Sequence, residues 1–79
     1  MRVHADTHHH ARTYLDGAFV DNGIEADDGE GWVDVLIVEP DQPLPKEPES
    51  VRAHPGRSRF KIARLRGAVR IELSDEDGG

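Results

Sequence analysis

The sequence WVDVLIV at positions 32–38 constrains the fold of this chain more than any other feature. The run lies between Gly31 and Pro40, residue types that interrupt regular structure. Its β-branched side chains favour a strand, and from Leu36 onward both faces of that strand are apolar. This pattern is typical of a central strand that is covered on both sides. The chain is therefore expected to build a β-sheet around these residues.

Two short turns are predicted before this strand. Asp16-Gly17 and Asn22-Gly23 are dipeptides that favour two-residue hairpin turns, because both central positions of such a turn need a positive φ. They would leave a short strand at residues 18–21 between them. The alternative is one or two turns of helix over residues 7–15, which Thr13 and Gly17 disfavour.

The C-terminal segment RSRFKIARLRGAVRIEL, residues 57–73, predicts a hairpin with strands at 59–65 and 68–74. A turn at Arg66-Gly67 would place Ile62 opposite Ile71 in the core and Lys61 on the solvent side. A three- or four-residue loop around Gly67 is the alternative register. The pairing separates apolar from charged side chains with one exception, Arg64. The apolar face would hold Phe60, Ile62, Val69, Ile71 and Leu73.

These signals predict an all-β protein of five or six short antiparallel strands, arranged as a meander or a partly open barrel of the SH3-like or OB-like size class. At 79 residues the chain has room for a single domain, and such a chain buries about 60% of its unfolded surface. The expected organisation is an N-terminal polar arm at 1–12, a β domain at 13–74 and a flexible acidic tail at 75–79. A proline-rich connector at 39–50 would interrupt the domain.

Charge divides the sequence into three blocks. Residues 1–50 carry a net charge of −9, residues 51–71 carry +7 and residues 72–79 carry −4. We expect the basic block to bind acidic surfaces, and the simplest partner is another copy of the chain or a subunit of a larger assembly. The expected basic face consists of Arg57, Arg59, Lys61, Arg64 and Arg70. The expected acidic patch consists of Asp27, Asp28, Glu30 and Asp34.

The function expected from these features is that of a non-enzymatic structural subunit, and an accessory component of a virus or phage particle is one setting for it. The alternative is nucleic-acid binding through the basic hairpin, with Trp32, Tyr14 or Phe60 stacked on bases. The net charge of −6 disfavours that alternative. The sequence contains none of the catalytic or phosphate-binding motifs we sought, so neither an enzyme nor a cofactor is expected.

The histidine-rich segment HADTHHHAR poses the question of a metal site. In an extended chain His4, Asp6, His8 and His10 would share one face, and these are ligands that suit zinc or nickel. We expect no structural metal, and these four residues are the weak candidates. Residues 1–15 lack the apolar stretch of a signal peptide, and no apolar run reaches the roughly 20 residues of a membrane helix. A soluble protein, intracellular or inside an assembled particle, is expected.

Overall fold

The structure is a computed structural model that describes residues 1–4 and 11–73. These residues form eight β-strands and no helix. The strands are β1 (Arg2–His4), β2 (Arg12–Leu15), β3 (Ala18–Val20), β4 (Gly23–Asp27), β5 (Trp32–Ile37), β6 (Ser50–His54), β7 (Arg57–Arg66) and β8 (Val69–Glu72).

The strands form two antiparallel sheets, which confirms the predicted all-β antiparallel class. A five-stranded sheet has the order β1-β4-β5-β7-β6, and a three-stranded sheet has the order β3-β2-β8. The sheets do not close into a barrel. The described chain contains eight strands, more than the five or six expected, because β1 and β6 extend the larger sheet at its two edges.

The hydrophobic core lies between the two sheets. The run at 32–38 forms β5, the central strand of the larger sheet, as predicted. Val33 and Leu65 are fully buried, and burying a side chain of this size stabilises the fold by about 1.5–3 kcal/mol. The core cluster consists of Val3, Leu15, Val20, Ala26, Val33, Val35, Ala63 and Leu65.

The opposite face of the five-stranded sheet, here called the outer face, carries apolar and charged side chains together. Side chains alternate between the two faces of a strand, so Trp32 and Asp34 lie on the outer face while Val33 and Val35 face the core. Trp32 and Ile62 are nevertheless 5% exposed, outside the core cluster. Charged side chains cover this face, as described below.

The Asp16-Gly17 turn is confirmed. It joins β2 to β3 with Leu15 opposite Ala18, and both turn residues have a positive φ, 51° and 86°. The Asp16 side chain also accepts a hydrogen bond from the Ala68 N–H at 2.9 Å, and its own N–H donates to the Ala68 carbonyl at 2.7 Å. The turn thus holds the segment that leads into β8.

The predicted hairpin at Asn22-Gly23 is wrong. β3 and β4 belong to different sheets, and Gly23 is a strand residue that pairs with Val35 next to a β-bulge. Its φ is not among the positive values, so the local sequence does not form the primed turn. The reason is that the chain changes sheets here: β3 ends at Val20 in the smaller sheet, and β4 begins at Gly23 in the larger one, next to the core residues Val20 and Val33.

The predicted C-terminal hairpin is also corrected. Strands occur on both sides of Gly67, but β7 pairs with β5 and β6, whereas β8 pairs with β2. β7 cannot accept β8 because both of its edges are occupied. Ile62 lies on the outer face opposite Leu36, and Ile71 packs against the core from the other sheet, so the predicted contact between them does not form.

The expected N-terminal arm is partly incorporated in the fold. β1 pairs with β4, and Val3 is buried in the core, so residues 2–4 belong to the sheet. Residues 38–49, which include most of the expected proline-rich connector, contain no strand or helix. Leu44 anchors this segment by packing against the core. The expected tail at 75–79 lies outside the described residues.

Candidate functional site

β6 and β7 form a hairpin that carries positive charge only. Residues 50–66 include six lysines and arginines and no acidic residue. Pro55 and Gly56 lie between the two strands. No strand is predicted from the sequence at residues 50–54, although the Pro55-Gly56 pair is a strong turn signal that indicates this hairpin.

One buried carboxylate pairs with two arginines of the hairpin, one on each strand. Asp34, 1% exposed, accepts hydrogen bonds from Arg64 at 2.8 and 3.1 Å and from Arg52 at 2.9 Å. Burial alone would raise the pKa of Asp34, but the hydrogen bonds and charges of Arg64 and Arg52 outweigh it and hold the pKa below its ordinary value. Asp34 and Arg64 therefore satisfy each other within the chain.

This pairing concerns two of the expected interaction residues. The sequence predicts Asp34 in an acidic patch and Arg64 on a basic face. Their strands are neighbours, with Asp34 directly opposite Arg64 in the ladder, so the two charges meet inside one chain. Neither is available as an isolated charge for a partner.

Trp32 is enclosed by arginines on the same face. The Arg64 guanidinium lies 3.8 Å from the centre of the indole ring, and that of Arg2 lies 5.3 Å away. Arg2 in turn is bonded to Glu25. These cation–π contacts cover the only tryptophan in the sequence and remove it as a surface for stacking bases.

The half of the hairpin nearest its Pro55-Gly56 turn carries positive charges that have no carboxylate partner among the described residues. Arg57, Arg59 and Lys61 are exposed, and none of them is within 4.0 Å of a carboxylate in residues 1–4 and 11–73. Arg57 lies over the Phe60 ring at 6.0 Å. An open groove of about 610 Å³ runs beside them. It is lined by Val38, Pro40, Gly56, Arg57, Ser58, Arg59 and Phe60.

The remaining expected basic residue, Arg70, lies elsewhere. It belongs to β8 in the smaller sheet, where it is bonded to Glu72 and lies 4.3 Å above the Tyr14 ring. Phe19, 57% exposed, is the next aromatic on that face, with its ring centre 5.8 Å from that of Tyr14. Arg70 is therefore separate from the basic hairpin.

Three of the expected acidic residues meet at the turn between β4 and β5. The Asp27 carboxylate accepts hydrogen bonds from the N–H groups of Gly29 and Glu30, which hold the turn and, despite some desolvation, lower the pKa of Asp27. Asp28 pairs with the amino group of Met1. Asp28 and Glu30 are both exposed, and Glu30 forms no ion pair within the described residues.

The acidic turn and the basic hairpin tip lie at opposite ends of the five-stranded sheet. The acidic turn precedes Trp32, and Trp32 pairs with Arg66 at the far end of β7 from Arg57. Asp27 pairs with Trp32 and Lys61 with Ile37, so the two charged groups are at least five residue steps apart along β5, about 17 Å. The arginines near the acidic end are already paired, Arg66 with Glu49 and Arg2 with Glu25. The larger sheet is thus charge-polarised along its strands.

Sequence reasoning did not select Arg52, Arg66 and Glu49, which complete these ion-pair networks. Arg52 and Arg66 lie in the +7 block, but only strand pairing shows which carboxylate each one meets. Of the metal candidates, Asp6, His8 and His10 lie outside the described residues, and His4 lies in β1 opposite Glu25. Within the described ranges, no group of three or more potential metal ligands comes together.

Across residues 1–4 and 11–73 we find no helix with the length and hydrophobicity needed to cross a membrane. Comparison with known proteins found no matching family model, no similar curated protein and no similar solved structure.

Proposed function

We propose that this chain is a non-enzymatic assembly subunit that binds copies of itself head to tail. The basic tip of one copy, defined as Arg57, Arg59 and Lys61, docks on the acidic turn of the next, defined as Asp27, Asp28 and Glu30. The observation that supports this proposal is the placement of these exposed cations at one end of the sheet and of the acidic turn, with its exposed Asp28 and Glu30, at the other.

Charge sets the orientation of this contact more than its strength. An exposed ion pair contributes only about 0–1 kcal/mol, so three such pairs cannot hold a stable complex alone. The groove beside the basic tip adds apolar surface from Val38, Pro40 and Phe60, which an incoming turn would cover. Complementary charges then select the partner end and exclude two like ends from meeting.

Nucleic-acid binding by the same hairpin has less support. Trp32 is covered by Arg2 and Arg64, and Tyr14 lies on the other sheet beneath Arg70. Phe60 is half-buried beside Arg57. The hairpin therefore offers cations without the row of exposed aromatic rings that single-strand binders use. The setting of a virus or phage particle stays a prediction without geometric support.

Analytical ultracentrifugation of a charge-reversed variant tests the assembly. The double substitution Arg57→Glu and Arg59→Glu should convert oligomers to monomers at low salt, because like charges would then face each other. Arg12→Glu is a charge-reversal control on the smaller sheet, since Arg12 is exposed and forms no ion pair with the described residues. The control should retain the mass distribution of the wild type.

A charge swap tests whether the two charged groups contact each other. Adding Asp28→Arg and Glu30→Arg to the reversed variant should restore association. A wild-type chain that stays monomeric up to millimolar concentration in low salt would overturn the proposal. Sub-micromolar binding of a short DNA or RNA at 150 mM salt would replace it with the nucleic-acid alternative.

A further inference from the structure

β6 is an exposed edge of the five-stranded sheet. Within residues 1–4 and 11–73 its one partner strand is β7, and four of its five residues are exposed. The N–H and C=O groups of every second residue of an edge strand point away from the sheet and can pair with another strand. β1, at the opposite edge, has three residues, and its Val3 is buried in the core.

The side chains of β6 present two different chemistries to an added strand. Val51 and Ala53 pair with Ala63 and Lys61 and share the core-side face, where Val51 is 48% exposed. Ser50 and Arg52 lie on the outer face. The Nη2 of Arg52 donates a hydrogen bond to Asp34, and the other donors of Arg52 make no hydrogen bond with the described residues.

Charge indicates which strand this edge accepts. A second β6 pairing antiparallel in the same register would place Arg52 against Arg52, and like charges directly opposite each other destabilise a sheet. The hairpin behind the edge carries six basic residues, and only two carboxylates, Asp34 and Glu49, form ion pairs with them within the described residues. The remaining excess of positive charge favours a negatively charged partner. An acidic strand would gain both main-chain hydrogen bonds and charge-assisted pairs.

We propose that β6 binds an extended acidic peptide segment of a partner protein as a sixth strand of the sheet. The segment alternates acidic and β-branched residues. Its β-branched side chains lie beside Val51, and its carboxylates lie beside Arg52. This site is the lateral edge of the hairpin, distinct from the basic tip assigned to self-assembly, so either proposal can fail while the other stands.

NMR of the ¹⁵N-labelled full chain tests the site with a capped hexapeptide of alternating glutamate and valine. At low salt the peptide should shift the amide signals of residues 50–54 and slow hydrogen exchange at alternate positions. A capped peptide of alternating lysine and valine should bind at least tenfold more weakly. Equal binding of the two peptides, or shifts confined to residues 57–61, would overturn the proposal.

A matched pair of variants separates the edge from general surface effects. Val51→Asp places a carboxylate on β6 and should reduce affinity for the acidic peptide at least tenfold. Phe19→Asp adds the same charge to β3, an edge strand of the other sheet, and should change affinity less than twofold. Both substituted residues are exposed, and unchanged Trp32 fluorescence verifies folding. A similar loss in both variants, or in neither, contradicts a site on β6.

Discussion

At the scale of single residues, the Asp34 carboxylate organises the outer face. It accepts three hydrogen bonds from two arginines that belong to β6 and β7, and one of those arginines covers Trp32. Removing one member of a buried ion pair leaves the others without a counter-charge, which commonly costs 3–5 kcal/mol. Arg52 is about half exposed and can regain water, so a smaller loss is expected here.

We predict that Asp34→Asn lowers the free energy of unfolding by about 2–4 kcal/mol. Asparagine keeps the shape but supplies no charge to Arg64 and Arg52. Urea unfolding followed by Trp32 fluorescence measures the loss. Asp41→Asn is the control, because Asp41 is an exposed connector residue, and it should change stability by less than about 0.5 kcal/mol. Equal losses at both positions would contradict the role of Asp34.

The pH dependence of stability follows from the same residue. The pKa of Asp34 is lowered in the folded state, because hydrogen bonds and charges from the arginines outweigh its burial. A lowered pKa means that its stabilisation is complete above the unfolded value of about 3.9 and is lost as the pH falls through the folded value. The pKa values of Asp16, Asp27 and Glu49 are also lowered.

We therefore predict that the urea midpoint is nearly constant from pH 7 to 5 and falls steeply below about pH 4. Asp34→Asn should weaken this fall, since one of the responsible carboxylates is gone. Midpoints measured by Trp32 fluorescence across this range check the prediction. A wild-type midpoint that rises on acidification would show that the sign is wrong.

This network explains two exceptions in the sequence pattern. Asp34 interrupts the most apolar strand, and Arg64 is the one residue that the predicted hairpin register could not place on a suitable face. Both exceptions have the same cause: the two side chains pair on the outer face, where the Asp34 carboxylate is buried. Residue patterns along one strand could not identify the partner, since that depends on β5 and β7 being neighbours.

At the scale of elements, the turns show how much local sequence determines. Asp16-Gly17 forms the predicted hairpin because its strands are adjacent and its residues tolerate a positive φ. Asn22-Gly23 has the same chemistry but lies where the chain changes sheets. For β7 and β8, alternation of side chains predicted strands but did not identify their neighbours, because the same pattern is compatible with several pairings.

Two glycines allow a controlled test of turn geometry. Gly17 and Gly31 both have a positive φ, 86° and 77°. A Cβ on Gly17 would meet nothing within 4 Å, whereas one on Gly31 would lie 3.0 Å from the Gly67 carbonyl oxygen. That carbonyl belongs to the segment between β7 and β8, and the Gly67 N–H donates to the Gly31 carbonyl.

We predict that Gly17→Ala costs about 1–2 kcal/mol, the ordinary cost of a side chain in the left-handed region. Gly31→Ala should cost at least about 1 kcal/mol more, because backbone atoms of two loops must also separate. Thermal or urea unfolding of the two variants gives the comparison. The same loss at both positions would show that the contact between Gly31 and Gly67 is not close.

At the scale of the whole molecule, the charges of the five-stranded sheet separate into two ends and a middle whose charges are paired. In the middle, the two carboxylates Asp34 and Glu49 pair with the three arginines Arg52, Arg64 and Arg66, which leaves a net charge of only +1. What remains is a positive tip and an acidic turn at the two ends of the larger sheet. A contact between unlike ends is heterologous, so it leaves one free end on each side and produces rings or open chains.

This geometry predicts the behaviour of half-blocked variants. Arg57→Gln with Arg59→Gln removes two of the three cations of the basic tip and keeps the acidic turn. Asp28→Asn with Glu30→Gln removes the two exposed carboxylates of the acidic turn and keeps the basic tip. Each variant alone should be monomeric, because it lacks one half of every contact. Mixed together, they should form a one-to-one dimer and nothing larger, since only one productive pair of ends is available.

The wild-type chain supplies the comparison under the same conditions. Its average mass in sedimentation equilibrium should rise continuously with concentration or reach a ring of three or more copies. A plateau at the dimer would instead indicate a closed twofold contact, in which each copy uses both ends at once. Raising the salt concentration to 1 M should shift the wild type toward monomer, because the exposed charges that orient the contact are then screened beyond about 3 Å. Two results together would contradict the charged contact: association that is unchanged in 1 M salt, and oligomers formed by either half-blocked variant alone. They would place the interface on apolar surface away from both charged ends.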